Sequence, residues 1–543
     1  MKTKKNRELQ RARNAPVVGN LFAEASQAYS AGDFETAERH ATRLLRDQPR
    51  NADALNLIGV IAAGRSDMPR AAKFLSQAAE LQPRTASIRG NLALALKMLG
   101  RWHDAIAQAR EGVRLDPSNA IIWNTLCAAQ FELGDYDSAS VSGRIAIALD
   151  PVAAEAWNNF GNVLVEVGHP LAESAFRAAL ARHPRLVQAW SGLGSAALRQ
   201  RRYESALPAF EHALTLRWPS RWWPGGSPSS SLPPAQSLTN TVKLRHDIEQ
   251  FEAGRRAGIY GPEFDAIISA YRRALDRFIS RYGATANGAL HPDDVATIGD
   301  VYGRIVHWSP PPAIPGGAIA SGWDRGEVSK RYAVPPGICW VDGLLTDEAL
   351  TSLRRFCLDS TIWNDVSHNY QAEPVARGYL GAYAADGFFT PLLFQIADEL
   401  AAALPEIFDG HSLRQIWAYK YEEKLEGIGI HGDDAAVNVN FWITPDSANL
   451  DPDSGGLLVY PVEAPAHWDF AAINTHPDAM LRFVESAGKP AVNVPYRQNR
   501  AVIFNSDLFH ATAPLRFRPG YDNRRINVTM LFGRRQAHGR SAQ

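Results

Sequence analysis

Residues 117–150 read PSNAIIWNTLCAAQFELGDYDSASVSGRIAIALD, and this stretch determines the architecture of the first part of the chain. The stretch begins at Pro117, and prolines recur at the same interval before and after it. They are Pro49, Pro83, Pro117, Pro151 and Pro184, with spacings of 34, 34, 34 and 33 residues. A fixed period of this size indicates stacked repeats, each of which is one pair of helices. We therefore expect six repeats over residues 18–217.

Other residue types keep the same period. Small residues stand where a second helix must approach the first, and glycines stand in the turn within each helix pair. Asp33 and Asp135 precede second helices, where a carboxylate caps free backbone N–H groups. The small positions are Ala37, Ala71, Ala105, Ala139 and Ala206; the turn positions are Gly32, Gly100, Gly134 and Gly168; Trp123, Trp157 and Trp190 begin later first helices.

This pattern resembles the tetratricopeptide-repeat proteins, and the resemblance implies an all-α solenoid. Stacked helix pairs bury their apolar sides on one another and leave a concave groove, in which we expect a protein or peptide partner. Asparagine amides of the first helices can hydrogen-bond an extended peptide, although they could equally be solvated or cap local structure. The candidates are Asn56, Asn91, Asn124, Asn158, Asn159 and Asn162. The fifth repeat is one residue short near His169-Pro170, so we expect its turn to shift.

Two further segments flank the repeats. Residues 1–17 are basic without a following apolar core, which favours a solvated tail over a secretory signal. Residues 218–333 are interpreted as a connector. It begins with the Trp- and Pro-rich stretch Trp218–Pro234, continues with helical patterns at about 239–256 and 262–282, and ends in a Gly- and Pro-rich extended segment.

A different pattern beyond residue 333 indicates a metal site. His431 and Asp433 are two residues apart in Ile430-His431-Gly432-Asp433, so on a strand their side chains point to the same side. His510 ends the run from Ala501, which begins as a buried strand. Two imidazoles and one carboxylate, without a thiolate, form the donor set that holds non-haem Fe(II) and leaves positions open.

A later strand supplies an anion site. Arg525, Asn527 and Thr529 alternate with apolar residues, so these three polar side chains share one face. An inward-facing arginine needs an anion, and a carboxylate is its best bidentate partner. Arg524 is the competing anion clamp, because a slip of one residue exchanges the two faces of a strand.

In this order the residues resemble the 2-oxoglutarate/Fe(II)-dependent oxygenases, over about Val334 to Arg535. The resemblance implies that His431, Asp433 and His510 bind Fe(II) as the catalytic centre. Arg525 would hold the distal carboxylate of 2-oxoglutarate, and O₂ would be the other cosubstrate. We therefore expect residues 334–543 to form an α+β double-stranded β-helix, or jelly roll.

Helices and strands of this domain can be placed from the same periodicities. Two helices are expected from Thr346 to Cys357 and over about 391–403. Strands are expected at about 414–422, 427–431, 436–443, 456–460, 501–505 and 524–532. The resemblance implies that Tyr421 hydrogen-bonds the cosubstrate. Asn438 and Asn440, polar residues inside a small barrel mouth, and Asn527 are assigned to contacts with the cosubstrate or substrate. Tyr421 could equally be a half-buried aromatic residue that closes the sheet.

Several functions fit these patterns. The preferred hypothesis is an oxygenase of the hydroxylase type that modifies a protein or peptide recruited by the repeats. The alternatives are a small-molecule hydroxylase with a partner-binding repeat module, and a non-catalytic scaffold. Enzymes with the same donor set but no 2-oxoglutarate are disfavoured by Arg525. The sequence Arg-x-Asn-x-Thr at 525–529 also looks like the AlkB-type nucleic-acid demethylases, which carry an arginine where this chain has Leu531.

Composition narrows the partners and the compartment. Lys plus Arg and Asp plus Glu both number 57 among 543 residues, so no net field attracts nucleic acid or an anionic membrane. A cluster of arginines near the C-terminus, Arg516, Arg518, Arg534 and Arg535, keeps nucleic acid as a minor alternative. Three distant cysteines and the lack of an apolar run of about 18 residues favour a cytoplasmic protein without a membrane span.

Overall fold

The computed structural model describes residues 21–217, 238–366, 377–465, 468 and 477–534. The basic tail of residues 1–17, the stretch Trp218–Pro234 and Arg535 lie outside these described residues. The chain divides into two compact units, Met1–Gly192 and Leu193–Gln543. Each unit is described by itself.

The first unit is helical throughout its described residues. Residues 21–30 form α1, and the following helices are α2 (Phe34–Asp47), α3 (Ala52–Gly64), α4 (Met68–Leu81), α5 (Ala86–Met98), α6 (Trp102–Leu115), α7 (Ala120–Glu132), α8 (Tyr136–Leu149), α9 (Ala154–Glu166) and α10 (Ala172–Arg182). Helix α11 (Val187–Arg199) crosses into the second unit.

Turn chemistry explains where these helices begin. Asp33 accepts a hydrogen bond from the Thr36 backbone N–H at 3.0 Å, and Asp135 accepts one from Ser138 at 3.3 Å. The predicted caps at these two aspartates are therefore present. The turn glycines have positive φ angles, for example +80° at Gly32. Residues other than glycine rarely adopt this conformation.

The fifth repeat departs from its neighbours where the sequence is one residue short. Helix α10 has 11 residues, whereas α4, α6 and α8 have 14 each. The groove asparagines bond to one another between successive first helices. Asn91 donates to Asn56 at 3.0 Å, and Asn159 donates to Asn124 at 2.9 Å.

The second unit contains helices and antiparallel strands. Its helices are α12 (Tyr203–Arg217), α13 (Thr241–Arg256), α14 (Phe264–Tyr282), α15 (Pro292–Ile298), α16 (Arg325–Ala333), α17 (Asp347–Asp359), α18 (Pro391–Ala403), α19 (Pro405–Phe408) and α20 (Pro477–Ser486). Its strands are β1 (Leu238–Asn240), β2 (Asn287–Ala289), β3 (Ile338–Asp342), β4 (Tyr379–Tyr383), β5 (Leu413–Tyr421), β6 (Lys424–Leu425), β7 (Ile428–His431), β8 (Val437–Trp442), β9 (Leu457–Glu463), β10 (Val492–Val494), β11 (Arg500–Asn505), β12 (Leu508–Thr512), β13 (Leu515–Arg516) and β14 (Ile526–Phe532).

Two sheets make the framework of the site. One has the order β3-β11-β8-β14-β5-β4, and the other has the order β10-β9-β12-β7. Successive side chains along each strand of the larger sheet point to opposite faces, so the two faces contribute to two different cores. Val439 and Val528 join the core that includes α17 and α18, whereas Trp442 and Phe504 join a second core with Val459 of the smaller sheet.

The division of the chain falls at Gly192–Leu193, whereas the sequence placed boundaries after residues 217 and 333. The second helix of the sixth repeat belongs to the second unit, because Phe210 of α12 packs 5.5 Å from Phe389. The described part of the expected connector also belongs there. Gln250 of α13 donates to the Ser360 carbonyl at 2.9 Å, and Trp308 donates to the Gly387 carbonyl at 2.9 Å.

We expect the substitution Phe210→Ala to destabilise the second unit by about 3–5 kcal/mol, the usual cost of emptying a buried phenylalanine site. Hydrogen–deuterium exchange would show faster exchange in α18, whose Phe394 also contacts Phe210. Phe176→Ala is the matched control, since Phe176 is fully buried in the first unit. Unchanged exchange in α18 of the Phe210 variant would contradict the assignment of α12 to this unit.

Among the described residues, no helix combines the length and the apolarity that crossing a lipid bilayer requires.

Candidate active site

Three predicted ligand residues converge where β7, an edge strand of the smaller sheet, pairs with β12. Strands β7 and β12 are antiparallel neighbours, and His431 lies directly opposite His510 in their register. The two imidazole rings are 4.3 Å apart between centroids, and Nε2 of His510 is 3.4 Å from Oδ2 of Asp433. One donor atom from each of the three residues lies within 4.8 Å of the others. This spacing can accommodate one metal ion.

The local backbone explains how the three residues meet. The expected strand at 501–505 is β11, and a turn at Ser506-Asp507 separates it from β12, which the sequence did not predict. The turn moves the chain from the larger sheet to the smaller one, and this brings His510 beside His431. Asp433 is not on a strand. It lies in the loop that follows β7, so the loop and not strand alternation directs its carboxylate towards His510.

Hydrogen bonds to the backbone set the tautomer of each histidine. Nδ1 of His431 donates to the Gly429 carbonyl at 2.9 Å, and Nδ1 of His510 lies 3.4 Å from the Leu508 carbonyl. A carbonyl oxygen can only accept, so the proton sits on Nδ1. Nε2 of each ring keeps its lone pair, which is the form that binds a metal.

The charges also suit a cation. Burial, followed by the charge of His510, lowers the pKa of His431 to about 4, so the imidazole is neutral at pH 7. Burial alone raises the pKa of Asp433. When the imidazoles are protonated, His510 donates to this carboxylate and both rings carry a positive charge. These two effects outweigh burial, so the pKa of Asp433 lies below its ordinary value. A neutral imidazole and an ionised carboxylate are the protonation states that a metal ion requires.

The predicted cosubstrate contacts Asn438, Asn440 and Asn527 are bonded to one another. Asn438 donates to Asp433 Oδ2 at 2.6 Å, and Asn440 donates to Asn438 at 2.6 Å. Asn440 in turn accepts from Asn527 at 2.9 Å and from Thr529 at 2.8 Å. The structure therefore gives these amides partners within the protein and connects them to a candidate metal ligand.

Arg525 is a buried cation with unused hydrogen-bonding capacity. Its side chain is 1% exposed. Nε donates to the Gly455 carbonyl at 2.7 Å, and Nη2 lies 3.4 Å from the Gly456 carbonyl. Nη1 has no hydrogen-bond partner among the described residues. A buried guanidinium nitrogen without a partner is costly, so Nη1 is the candidate atom for binding an anion.

Aromatic rings surround this guanidinium. Its central carbon lies 4.5 Å from the ring centroid of Tyr421, 5.5 Å from Trp442 and 6.0 Å from Tyr496. Tyr421 thus lies with its ring against the guanidinium. The rings exclude water, which strengthens any charge pairing with a bound carboxylate.

Arg524, the alternative anion clamp, is engaged elsewhere. It donates to Glu249 of α13 through Nε at 2.7 Å and through Nη2 at 3.1 Å. Of the two arginines, Arg525 is therefore the one that remains available to a ligand. On the same face as Arg525, Leu531 is buried in a cluster with Trp417 and Ala435.

Arg525 and the histidines share the space between the sheets. Gly456, whose carbonyl contacts Arg525, leads into β9, and Val459 of β9 lies opposite His510. Three residues of strand span roughly 10 Å. Phe504 of the larger sheet lies 5.1 Å from His510 between ring centroids and shares a core with Trp442.

Several residues of the site were not singled out from the sequence. Gly455 and Gly456 are two of them, and their carbonyls orient Arg525. A Cβ atom on Gly456 would lie 1.9 Å from the Val494 carbonyl oxygen, so only glycine fits there. The pair of adjacent glycines is the feature of the sequence that could have identified this position. No sequence feature identifies Tyr496 or Phe504, because their contacts depend on how the two sheets pack.

Comparison with known proteins defines the class of the helical part. A model of the tetratricopeptide-repeat family matches residues 22–87, 91–141 and 168–221. The chain therefore contains a tetratricopeptide-repeat array, as the 34-residue period predicted. The structure adds a β-rich C-terminal region with antiparallel sheets.

Solved structures are similar to about a third of the chain. MamA is 23% identical, with 31% of this chain and 91% of MamA covered and a TM-score of 0.27. YrrB, described as a TPR protein with an unusual peptide-binding site, is 19% identical, with 33% and 92% covered and a TM-score of 0.28. PilF of Pseudomonas aeruginosa is 14% identical, with 38% and 94% covered and a TM-score of 0.33.

Proposed function

We propose that the C-terminal region is a 2-oxoglutarate- and Fe(II)-dependent oxygenase of the hydroxylase type, built on a double-stranded β-helix. The observation that carries the proposal is the convergence of His431, Asp433 and His510 within 4.8 Å, between two antiparallel sheets. A donor set of two imidazoles and one carboxylate is the preferred set for non-haem Fe(II) with open positions.

In this proposal the three ligand residues hold the ion through neutral Nε2 atoms and an ionised carboxylate. Arg525 binds the distal carboxylate of 2-oxoglutarate through its unpartnered Nη1, while Tyr421, Trp442 and Tyr496 exclude water around that contact. When bound, Fe(II), 2-oxoglutarate and O₂ supply oxidative decarboxylation coupled to hydroxylation of a substrate C–H bond. The protein contributes binding, orientation and a dry cavity.

The substrate is proposed to be a protein or peptide that the repeats recruit. Tetratricopeptide repeats form a partner-binding module, and residues 22–221 carry three matches to that family. Nucleic acid is the weaker candidate, because the net charge is zero and Leu531 stands where a demethylase of the AlkB type has arginine. The buried, unpaired Cys127, Cys339 and Cys357 favour action in the reducing cytoplasm.

Turnover by the full chain tests this function directly. The protein is loaded with Fe(II) without oxygen, and 2-oxoglutarate and O₂ are then added. We expect succinate by NMR even without a substrate, since these oxygenases turn over slowly when uncoupled. No succinate, combined with no Fe(II) retained after desalting, would refute the oxygenase and favour a scaffold. Partners captured on the full chain can then be examined for a gain of 16 Da, which would support the protein-substrate hypothesis.

A further inference from the structure

A continuous hydrogen-bonded chain of side chains links two neighbouring strands of the larger sheet to Asp433. It begins with Asn527 and Thr529 on β14, passes through Asn440 and Asn438 on β8, and reaches the carboxylate in the loop after β7. We call these four residues and their bonds the amide relay. All four are buried, Asn438 completely and the others to 95% or more.

The amide relay has one direction. The carbonyl oxygen of Asn440 accepts from Asn527 and Thr529, so its NH₂ group faces Asn438. The carbonyl oxygen of Asn438 accepts from Asn440, so its NH₂ group must face Asp433. Each amide is therefore oriented by the one before it, and the last donor is fixed 2.6 Å from Oδ2 of Asp433. Bonds aligned in this way polarise one another.

The register of the strands explains why the relay is rigid. Thr529 lies directly opposite Asn440 in the pairing of β14 with β8, and Asn527 lies opposite Trp442. Both strands are interior to the six-stranded sheet, because β8 also pairs with β11 and β14 also pairs with β5. The Asp433 loop, in contrast, has no strand pairing of its own, so a side-chain bond must fix its carboxylate.

We propose that Asn438 and Asn440 are positioning residues, which hold the Asp433 carboxylate in the orientation that binds a divalent cation. They act through Asp433 and are not contacts to the cosubstrate. This inference rests on the proposed metal centre. Partners that orient a metal-binding side chain typically contribute 10–100-fold to metal affinity.

Co(II) binding to the full chain without 2-oxoglutarate tests the relay. Calorimetry and the visible absorption of Co(II) would be measured for the wild type, Asn438→Leu and Asn440→Leu. Leucine keeps the approximate volume and removes the donor. We expect the Kd for Co(II) to rise about 10–100-fold in both variants. Asn440→Leu is informative even if Asn438→Leu fails to fold, because Asn440 does not touch Asp433.

Val439→Ala is the matched control. Val439 lies between the two asparagines on β8, but it is fully buried on the opposite face of the strand. This variant should unfold at a lower temperature and bind Co(II) as the wild type does, which separates loss of packing from loss of the relay. Weaker Co(II) binding by Val439→Ala as well would overturn the positioning role.

Two further results would overturn the inference in different ways. An unchanged Kd for Co(II) in both asparagine variants, with a raised KM for 2-oxoglutarate, would make Asn438 and Asn440 cosubstrate contacts and leave the metal centre intact. An unchanged Kd for Co(II) in His431→Ala would remove the metal centre itself, and the proposed function with it.

Discussion

Substitution of His431, Asp433 or His510 by alanine is expected to abolish iron binding and succinate formation. Each variant removes one of three protein donors, so the loss should exceed the roughly 100-fold effect of removing a residue that only orients a ligand. The measurements are iron content after anaerobic loading and desalting, and the rate of uncoupled 2-oxoglutarate turnover. His510→Ala should have the largest structural cost, because its side chain is buried beside Phe504.

Two control substitutions match these variants. His411→Ala removes a histidine that is not part of the three-residue donor group. Asp434→Asn neutralises the carboxylate of the residue that follows Asp433. The side chain of Asp434 is 44% exposed. Both controls should keep iron and turnover. Full iron content and full succinate formation in the His431 and Asp433 variants would show that the ligand assignment is wrong.

Replacement of Arg525 by leucine is expected to cost most of the affinity for 2-oxoglutarate. Truncating one partner of a buried charge pair costs about 2–5 kcal/mol, which corresponds to a rise in KM of roughly 30- to 5,000-fold. The metal centre should be retained, so Co(II) binding without cosubstrate stays near the wild-type value. Arg525→Lys should be intermediate, because lysine keeps the charge but not the planar donor geometry.

The preference of the enzyme for one cosubstrate over another can be measured as a ratio, and a loss of folded protein does not change that ratio. The wild type should strongly prefer 2-oxoglutarate over 2-oxobutyrate, which lacks the distal carboxylate. In Arg525→Leu the ratio of kcat/KM values for the two acids should approach one. Arg524→Met is the control, since Arg524 pairs with Glu249 and should affect stability without changing this ratio. A preserved preference in the Arg525 variant would show that the carboxylate binds elsewhere.

Local periodicity in the sequence predicted most elements of the fold. The expected strand at 414–422 is β5 (Leu413–Tyr421), and the expected helix at 391–403 is α18 (Pro391–Ala403). The face of β8 that carries Asn438, Asn440 and Trp442 was also predicted, because alternation is a property of each strand alone. The strand β12 was missed. Its first residue follows β11 after a two-residue turn, and both strands are apolar, so no change of period separates them.

Contacts at the site depended on distant parts of the chain. Glu249 engages Arg524, and this pairing leaves Arg525 to face the space between the sheets. No local pattern indicates that a residue of α13 reaches Arg524, which lies just before β14 and 275 positions along the chain. The asparagines were recognised as polar residues on an inward face, but their hydrogen-bond partners follow from the register of β14 against β8.

The amino-acid sequence by itself determined the helical repeats and the polar faces of the C-terminal strands. The repeats follow from a period of 34 residues, and the polar faces follow from a period of two, and both periods can be read directly from the sequence. It also supplied the residue types of the candidate metal and anion sites. Only the tertiary structure decided that His510 lies across from His431, that the amide relay ends on Asp433, and that α12 packs within the second unit. These arrangements arise when strands from different sheets and helices far apart in sequence pack together, and packing of that kind leaves no periodic signal in the chain.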